Sequence, residues 1–243
     1  MSKTLIDGDI IAYRCSFSKK GEPPKTLGQA LRDVDDLVEY TLTECSFYNT
    51  SKSYTLYLTG GSGNGGGNYR DDIAVTAVYK GNRPKEKPEL LPYVRQYLEE
   101  AFETEVSYGE EADDLIAMEA TKIGPHVVVA SADKDMLQIP AYHFNFNNGV
   151  WKTVDYWQGL QFFYTQILTG DTADNIKGLF RVGPKKAEKI LKGAQTEDDL
   201  WDRVLEAYDG DLDRVVENAR LLWLRRYQGE LWEPPHQRKL KED

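Results

Sequence analysis

Two apolar rhythms alternate along the first half of the chain. Short runs at 3–6, 54–58, 105–108 and 127–130 read as strands, and between them apolar side chains return every three or four residues, as on one face of a helix. In the stretch 26–45 that face carries Leu27, Ala30, Leu31, Val34, Val38 and Leu42, and the stretches 90–102 and 112–123 repeat the pattern. Strand and helix alternation of this kind predicts an α/β fold with a mostly parallel central sheet. From Tyr156 onward the strand pattern stops, and helices are predicted at 156–168, 184–191, 198–208 and 212–227 between glycines and prolines. The expected organisation is therefore an α/β core over 1–155 and a helical subdomain over 156–243. The run from Gly60 to Asn68, glycine in six of nine positions, predicts a loop without structure of its own.

Composition narrows this picture. A chain of 243 residues with 40% hydrophobic content can bury a substantial core. No apolar run reaches the roughly 20 residues needed to span a bilayer, and no signal-peptide core follows the N-terminus, so a cytoplasmic protein without membrane contact is expected. Cys15 and Cys45 form no CxxC pair and His126, His143 and His236 are scattered, which excludes the usual zinc and disulfide frameworks. The formal charge of -10 is unfavourable for a phosphate-binding protein at first sight. Its distribution alters that: eight acids in the clusters described next account for most of the excess, leaving 32 acidic against 30 basic residues. Cations bound there would reverse the local sign.

The acids fall at chemically suggestive places. Asp7 follows the first strand in Ile6-Asp7-Gly8-Asp9, at a carboxyl end where open α/β sheets bind ligands, although a plain turn accounts for the same residues. Glu110, Glu111, Asp113 and Asp114 crowd a helix start. One or two acids there favour the helix dipole, whereas four repel one another unless a cation intervenes. Asp133 and Asp135 end the strand 127–130, and Asp171 and Asp174, three apart, share one side of a helical turn or serve as caps. Oxygen donors without histidine or cysteine select magnesium or manganese, and converging clusters suit two ions about 4 Å apart that act on a phosphodiester. Basic elements accompany them. Gly178 and Gly183 flank Leu179-Phe180-Arg181-Val182 and lead into Pro184-Lys185-Lys186, a turn whose backbone N–H groups can hold a phosphate. Lys177, Arg181, Lys185 and Lys186 supply positive charge there; a solvated helix face is the plainer reading. Arg70, Lys80 and Arg83 are further candidate phosphate contacts.

Taken in order, these segments resemble the 5′ nuclease family of flap endonucleases, the 5′-to-3′ exonuclease domain of bacterial DNA polymerase I, and small bacteriophage exonucleases. The matching stretches are Ile6-Asp7-Gly8, Tyr79-Lys80-Gly81-Asn82-Arg83, Glu111-Ala112-Asp113-Asp114, Ser131-Ala132-Asp133-Lys134-Asp135, and 170–176 through Gly183-Pro184-Lys185-Lys186-Ala187. The resemblance implies a PIN-like or resolvase-like core, and a helix-three-turn-helix module on duplex backbone, often around a potassium ion. It implies Asp7, Glu111, Asp113 and Asp133 as ligands of one Mg2+ or Mn2+, and Asp114, Asp135, Asp171 and Asp174 as ligands of a second. Lys80 and Arg83 would lie in an arch, about 60–88, over the scissile phosphate, with Asp7 and Asp133 at the chemistry. The implied activity is 5′-to-3′ exonuclease and 5′-flap endonuclease action by a monomer on DNA ends, flaps and nicks, extending to RNA–DNA hybrids in primer removal or phage replication. Alternatives are a catalytically weak junction-binding protein and a PIN-like ribonuclease. One departure is visible: where the family carries Phe-Asp-Gly after its second strand, this chain has Leu58-Thr59-Gly60. Either Asp9, Asp71 or Asp72 compensates, or the missing ligand is dispensable.

Overall fold

The structure, a computed structural model, describes residues 2–18, 23–60, 68–84 and 86–242; most of the glycine-rich loop therefore lies outside the described residues. In chain order the elements are β1 (Thr4–Asp7), α1 (Gly8–Ser16), α2 (Leu27–Cys45), β2 (Tyr54–Leu58), α3 (Tyr69–Ile73), α4 (Leu91–Ala101), β3 (Thr104–Val106), α5 (Ala112–Ile123) and β4 (Val128–Ala130). There follow β5 (Ala141–Asn145), β6 (Val150–Val154), α6 (Tyr156–Thr169), β7 (Gly170–Asp171), β8 (Ile176–Lys177), α7 (Pro184–Leu191), α8 (Glu197–Ala207), α9 (Leu212–Leu222) and α10 (Pro235–Glu242). A short 3-10 helix covers Lys134–Gln138. Two compact units result, one of residues 1–67 and 84–155, the other of 68–83 and 156–243. The segment 68–83, read from sequence as part of an arch on the core, belongs to the second unit.

The first unit is built on a six-stranded sheet in the order β3-β2-β1-β4-β5-β6. Its strands pair in parallel except for the antiparallel β5–β6. Leu5, Ile6, Leu56, Leu58, Val128, Val129 and Ala130 are all fully buried, as the continuous apolar runs of parallel strands require. Helices α1, α2 and α4 pack on one another, and α5 packs on β1 and β2. The α2 stripe behaves as its spacing predicts: Ala30, Val34 and Val38 are buried, and Thr26 with Gln29 forms a capping box at its start.

Two features of this unit depart from the sequence reading. Asp7-Gly8-Asp9 is no simple turn, since Asp7 caps a helix, α1, by accepting from the Ile10 N–H at 3.1 Å. Second, 141–154 forms the hairpin β5–β6, closed at Asn148-Gly149, where glycine supplies the positive φ of 70° that the turn needs.

His143 of β5 is buried and donates from Nε2 to the Ile139 carbonyl at 2.8 Å. Burial pushes its pKa down to about 4. Because the folded value lies below that of an unfolded histidine, the unfolded chain binds more protons in acid, and this group withdraws stability as pH falls from about 6.5 towards 4. Between pH 7 and pH 5 wild type should lose about 2 kcal/mol more stability than His143→Gln, read from urea midpoints. Equal losses would contradict the assignment.

In the second unit α6 packs against α7, α8 and α9. Phe163, Tyr164, Ile167, Leu200, Trp201, Val204, Val215 and Ala219 form its core. Strands do recur after Tyr156, as the two-residue ladder β7–β8. Its backbones approach so closely that a Cβ on Gly178 would sit 2.2 Å from the carbonyl carbon of Thr169, so only glycine fits. Helix α9 ends at Leu222, five residues before its expected end.

Candidate functional site

Parallel pairing sets the carboxyl ends of β2, β1 and β4 side by side: Asp7, the last residue of β1, pairs with Tyr57, with Leu58-Thr59 just beyond it, and Ser131 follows the Ile6–Ala130 pair on the other side. The Asp7 carboxylate accepts from the Ser131 hydroxyl at 2.7 Å, and the same hydroxyl accepts from the Asp133 N–H at 2.9 Å. One hydroxyl thus joins the two acids. Asp133 in turn caps the 3-10 helix, accepting from the Asp135 N–H at 2.8 Å. Asp7 is buried. Burial pushes its carboxyl up to about 7, the Ser131 and Ile10 hydrogen bonds oppose that, and the nearby charges of Asp9 and Asp133 add to it. A bound cation relieves this combination of burial and like charge.

At the start of α5, Glu110, Glu111 and Asp114 are buried and Asp113 is half-buried. Asp113 accepts from the Asp114 N–H at 2.9 Å. Among the described residues no three acidic, histidine or cysteine side chains are gathered closely enough to enclose an ion. The chemistry of the donor set nevertheless fits a hard divalent cation: the acids at this edge offer only carboxylate oxygens, with no imidazole or thiol among them.

The second unit brings together Lys80, Arg83, Asp171 and Asp174. Asp174 accepts from the Arg83 guanidinium and, at 3.0 Å, from the Tyr79 hydroxyl, with the Lys80 ammonium 3.9 Å away. Its carbonyl accepts from the Lys80 N–H at 2.9 Å, where the lysine backbone has a left-handed φ of 53°. Asp171 is buried and accepts from the Ala173 and Asp174 N–H groups at 2.7 and 3.2 Å. Asn82 and Asn175 tie the same segments by donating to the carbonyls of Thr172 and Val78. Both lie inside matching motifs, yet the sequence alone assigns neither a role. Glu217 was also missed: it accepts from the N–H groups of Val75 and Thr76 and from the Thr76 hydroxyl, fastening the segment that leads to Lys80. Nothing in its helical context marks it.

Arg70 is a correction. Expected on a phosphate, it is 2% exposed and donates to the carbonyls of Leu221 and Trp223 at 2.9 Å, where α9 ends. It holds the protein's own backbone at the point where α9 ends. In the glycine hairpin, Lys177, Arg181, Gly183, Lys185 and Lys186 are exposed and Gly178 is half-buried. Gly183 caps α7 without a side chain; Pro184 has no N–H and the Lys186 and Ala187 N–H groups donate to the Gly183 carbonyl, so the two exposed lysine side chains are the stronger candidate phosphate contacts at this helix start.

Comparison with known proteins gives a consistent set. Residues 2–158 match the model of the 5′-3′ exonuclease N-terminal resolvase-like domain. DNA polymerase I of Rhizobium leguminosarum is 30% identical over 162 residues, 58% of this chain and 14% of that protein. Flap endonuclease Xni of Vibrio parahaemolyticus is 29% identical over 170 residues, 59% of this chain and 62% of the relative. The 5′-3′ exonuclease of Mycoplasmopsis pulmonis is 28% identical over 217 residues, 82% of this chain and 68% of the relative. The chain thus spans under a quarter of the polymerase's length and under two thirds of that of Xni. Among solved structures, a bacteriophage T5 flap endonuclease complex with DNA and metal ions superposes with a TM-score of 0.65 at 18% identity, covering 93% of this chain and 90% of the other. That likeness establishes the fold. No described helix is long and apolar enough to cross a membrane.

Proposed function

Since this chain belongs to the 5′-3′ exonuclease family through residues 2–158, we propose that it is a divalent-metal-dependent 5′-to-3′ exodeoxyribonuclease and structure-specific 5′-flap endonuclease. The observation that carries this reading is the edge where the Ser131 hydroxyl joins Asp133 to Asp7, a buried acid whose carboxyl is pushed up to about 7. Asp7, Glu111, Asp113 and Asp133 would hold one Mg2+ or Mn2+, with Asp114 and Asp135 beside them as candidates for a second. Asp171 and Asp174 keep the ligand role that the family resemblance implies for them. Bound there, the cation supplies Lewis acidity to a phosphoryl oxygen and makes water a better nucleophile near neutral pH.

The chain's own residues do the rest. Ser131 orients Asp7 by donating to it and orients Asp133 by accepting from its N–H. Lys80 and Arg83, set by Asp174, are the candidate contacts to a scissile phosphate. Gly178, Gly183, Lys177, Arg181, Lys185 and Lys186 are candidate contacts to duplex backbone, with a potassium ion in the hairpin as a further expectation. Flaps, nicks and RNA–DNA hybrids are the proposed substrates, and a monomer the proposed form. The test compares labelled 5′-flap duplex, nicked duplex, single-stranded DNA, RNA–DNA hybrid and single-stranded RNA in magnesium. Preference for the branched and duplex DNAs is expected; preference for single-stranded RNA would replace the reading with a ribonuclease.

A further inference from the structure

Helix α5 begins with a difficulty of its own. Its first turn carries Asp113 and Asp114 behind Glu110 and Glu111, and like charges at this density push the turn apart. The residue that precedes it, Glu111, caps it with no side-chain hydrogen bond. The missing cap comes from another element. Thr59, just past the end of β2, accepts from the Ala112 N–H with its Oγ1 at 2.9 Å. A second stitch lies beside it: the Ser107 hydroxyl accepts from the Gly60 N–H at 3.0 Å and donates to the Glu110 carbonyl. Gly60 runs so close to the residue that follows β3 that a Cβ there would fall 2.1 Å from the Ser107 carbonyl oxygen.

Thr59 is itself fixed from behind. Its N–H donates to Oδ2 of Asp9 at 3.1 Å, and the Arg95 guanidinium spans the other Asp9 oxygen and the Thr59 carbonyl. Arg95 and Asp9 are both partly buried, at 25% and 32% side-chain exposure, so the fork is partly shielded from water. Both Asp9 oxygens are engaged in this network. Asp9 thereby acts on Thr59 itself, the residue that stands where the family carries an aspartate. Threonine also has a chemical advantage here, because a hydroxyl accepts the Ala112 N–H without adding a negative charge beside four acids.

We propose that Arg95, Asp9 and Thr59 form a positioning network that sets the first turn of α5, and with it Glu111 and Asp113, for a divalent cation. This rests on the nuclease reading above. Thr59 and Arg95 act through the helix and touch neither substrate nor cation.

The test measures Mn2+ binding to the DNA-free protein by calorimetry, alongside kcat and KM on a 5′-flap duplex, for wild type, Thr59→Val, Thr59→Ser, Arg95→Met and the Thr59→Val/Arg95→Met double variant. Thr59→Val, which keeps the shape and loses the acceptor, should weaken Mn2+ binding about tenfold, the low end for losing a group that orients a metal ligand. It should lower kcat at limiting metal while KM for DNA stays within about twofold. Thr59→Ser should restore Mn2+ affinity, and the double variant should be no worse than Thr59→Val, because both changes break one network. Wild-type Mn2+ affinity in Thr59→Val, or a Thr59→Ser variant as weak as Thr59→Val, would overturn the proposal. Should circular dichroism show Thr59→Val unfolded, Arg95→Met and Thr59→Ser decide it on the same criteria. Wild type separates the two readings. If it neither binds Mn2+ nor cleaves, the nuclease reading fails; if it does both and Thr59→Val matches it, only the network fails.

Discussion

Asp113→Asn and Asp133→Asn should each lower magnesium-dependent cleavage by a factor of roughly 1,000 while leaving the fold intact. The magnitude follows if each carboxylate helps to hold a cation worth about 4 kcal/mol of transition-state stabilisation. The structure explains why the fold should survive. Asp133 is exposed and accepts from the Asp135 N–H, a hydrogen bond that an asparagine oxygen makes equally well. Asp113 is half-buried and accepts from the Asp114 N–H, again within reach of an amide oxygen. Each change also removes one negative charge from a crowded edge, so thermal stability should hold or rise slightly. Cleavage rates and melting curves on the same preparations check both halves. Rates within tenfold of wild type would show that these acids hold no essential cation.

Arg70→Met should destabilise the protein by roughly 3 kcal/mol, because two carbonyls at the end of α9 lose the buried donor that satisfies them. The guanidinium lies against the Tyr69 ring, which Arg225 covers as well, so the stack loosens too. Urea unfolding followed at the second unit's tryptophans measures the loss. An arginine on a phosphate would behave in the opposite way, with stability kept and DNA affinity reduced, and that outcome would reinstate the sequence reading of Arg70.

Arg70 and Arg83 show where a sequence stops being informative. Both lie near the glycine-rich loop and both are arginines among polar neighbours. One is buried under the end of a helix about 150 residues away in the chain, and the other pairs with Asp174. No local pattern separates them, because the deciding contacts are tertiary. The parallel strands were legible because burial on both faces leaves an unbroken apolar run, as at Val127-Val128-Val129-Ala130. The hairpin β5–β6 carries a local signal as well, since Asn148-Gly149 sits between two segments rich in β-branched and aromatic residues. Helix α1 was hidden because the Asp-Gly pair that opens it also spells a turn.

The candidate site divides in the same way. That acids follow β1 and β4 and crowd the start of α5 can be read from the chain itself. That Ser131 joins Asp7 to Asp133, or that Asp9 is engaged by Arg95, cannot, since hydroxyls and arginines of identical sequence character occur throughout. Thr59 drew notice as a departure from the family pattern. Its role as a cap for a helix more than 50 residues away depends on strand register that only the fold supplies.

The most direct test of the account is a polarity assay. A 5′-flap duplex carrying a label at its 5′ end, and a second copy labelled at the 3′ end of the same strand, are incubated with the protein in magnesium and in EDTA. Magnesium, and not EDTA, should release short 5′-labelled fragments at early times while the 3′ label stays on long products. Tight flap binding with no cleavage in magnesium or manganese would contradict it and leave a junction-binding protein, and early release of short 3′-labelled fragments would contradict the polarity.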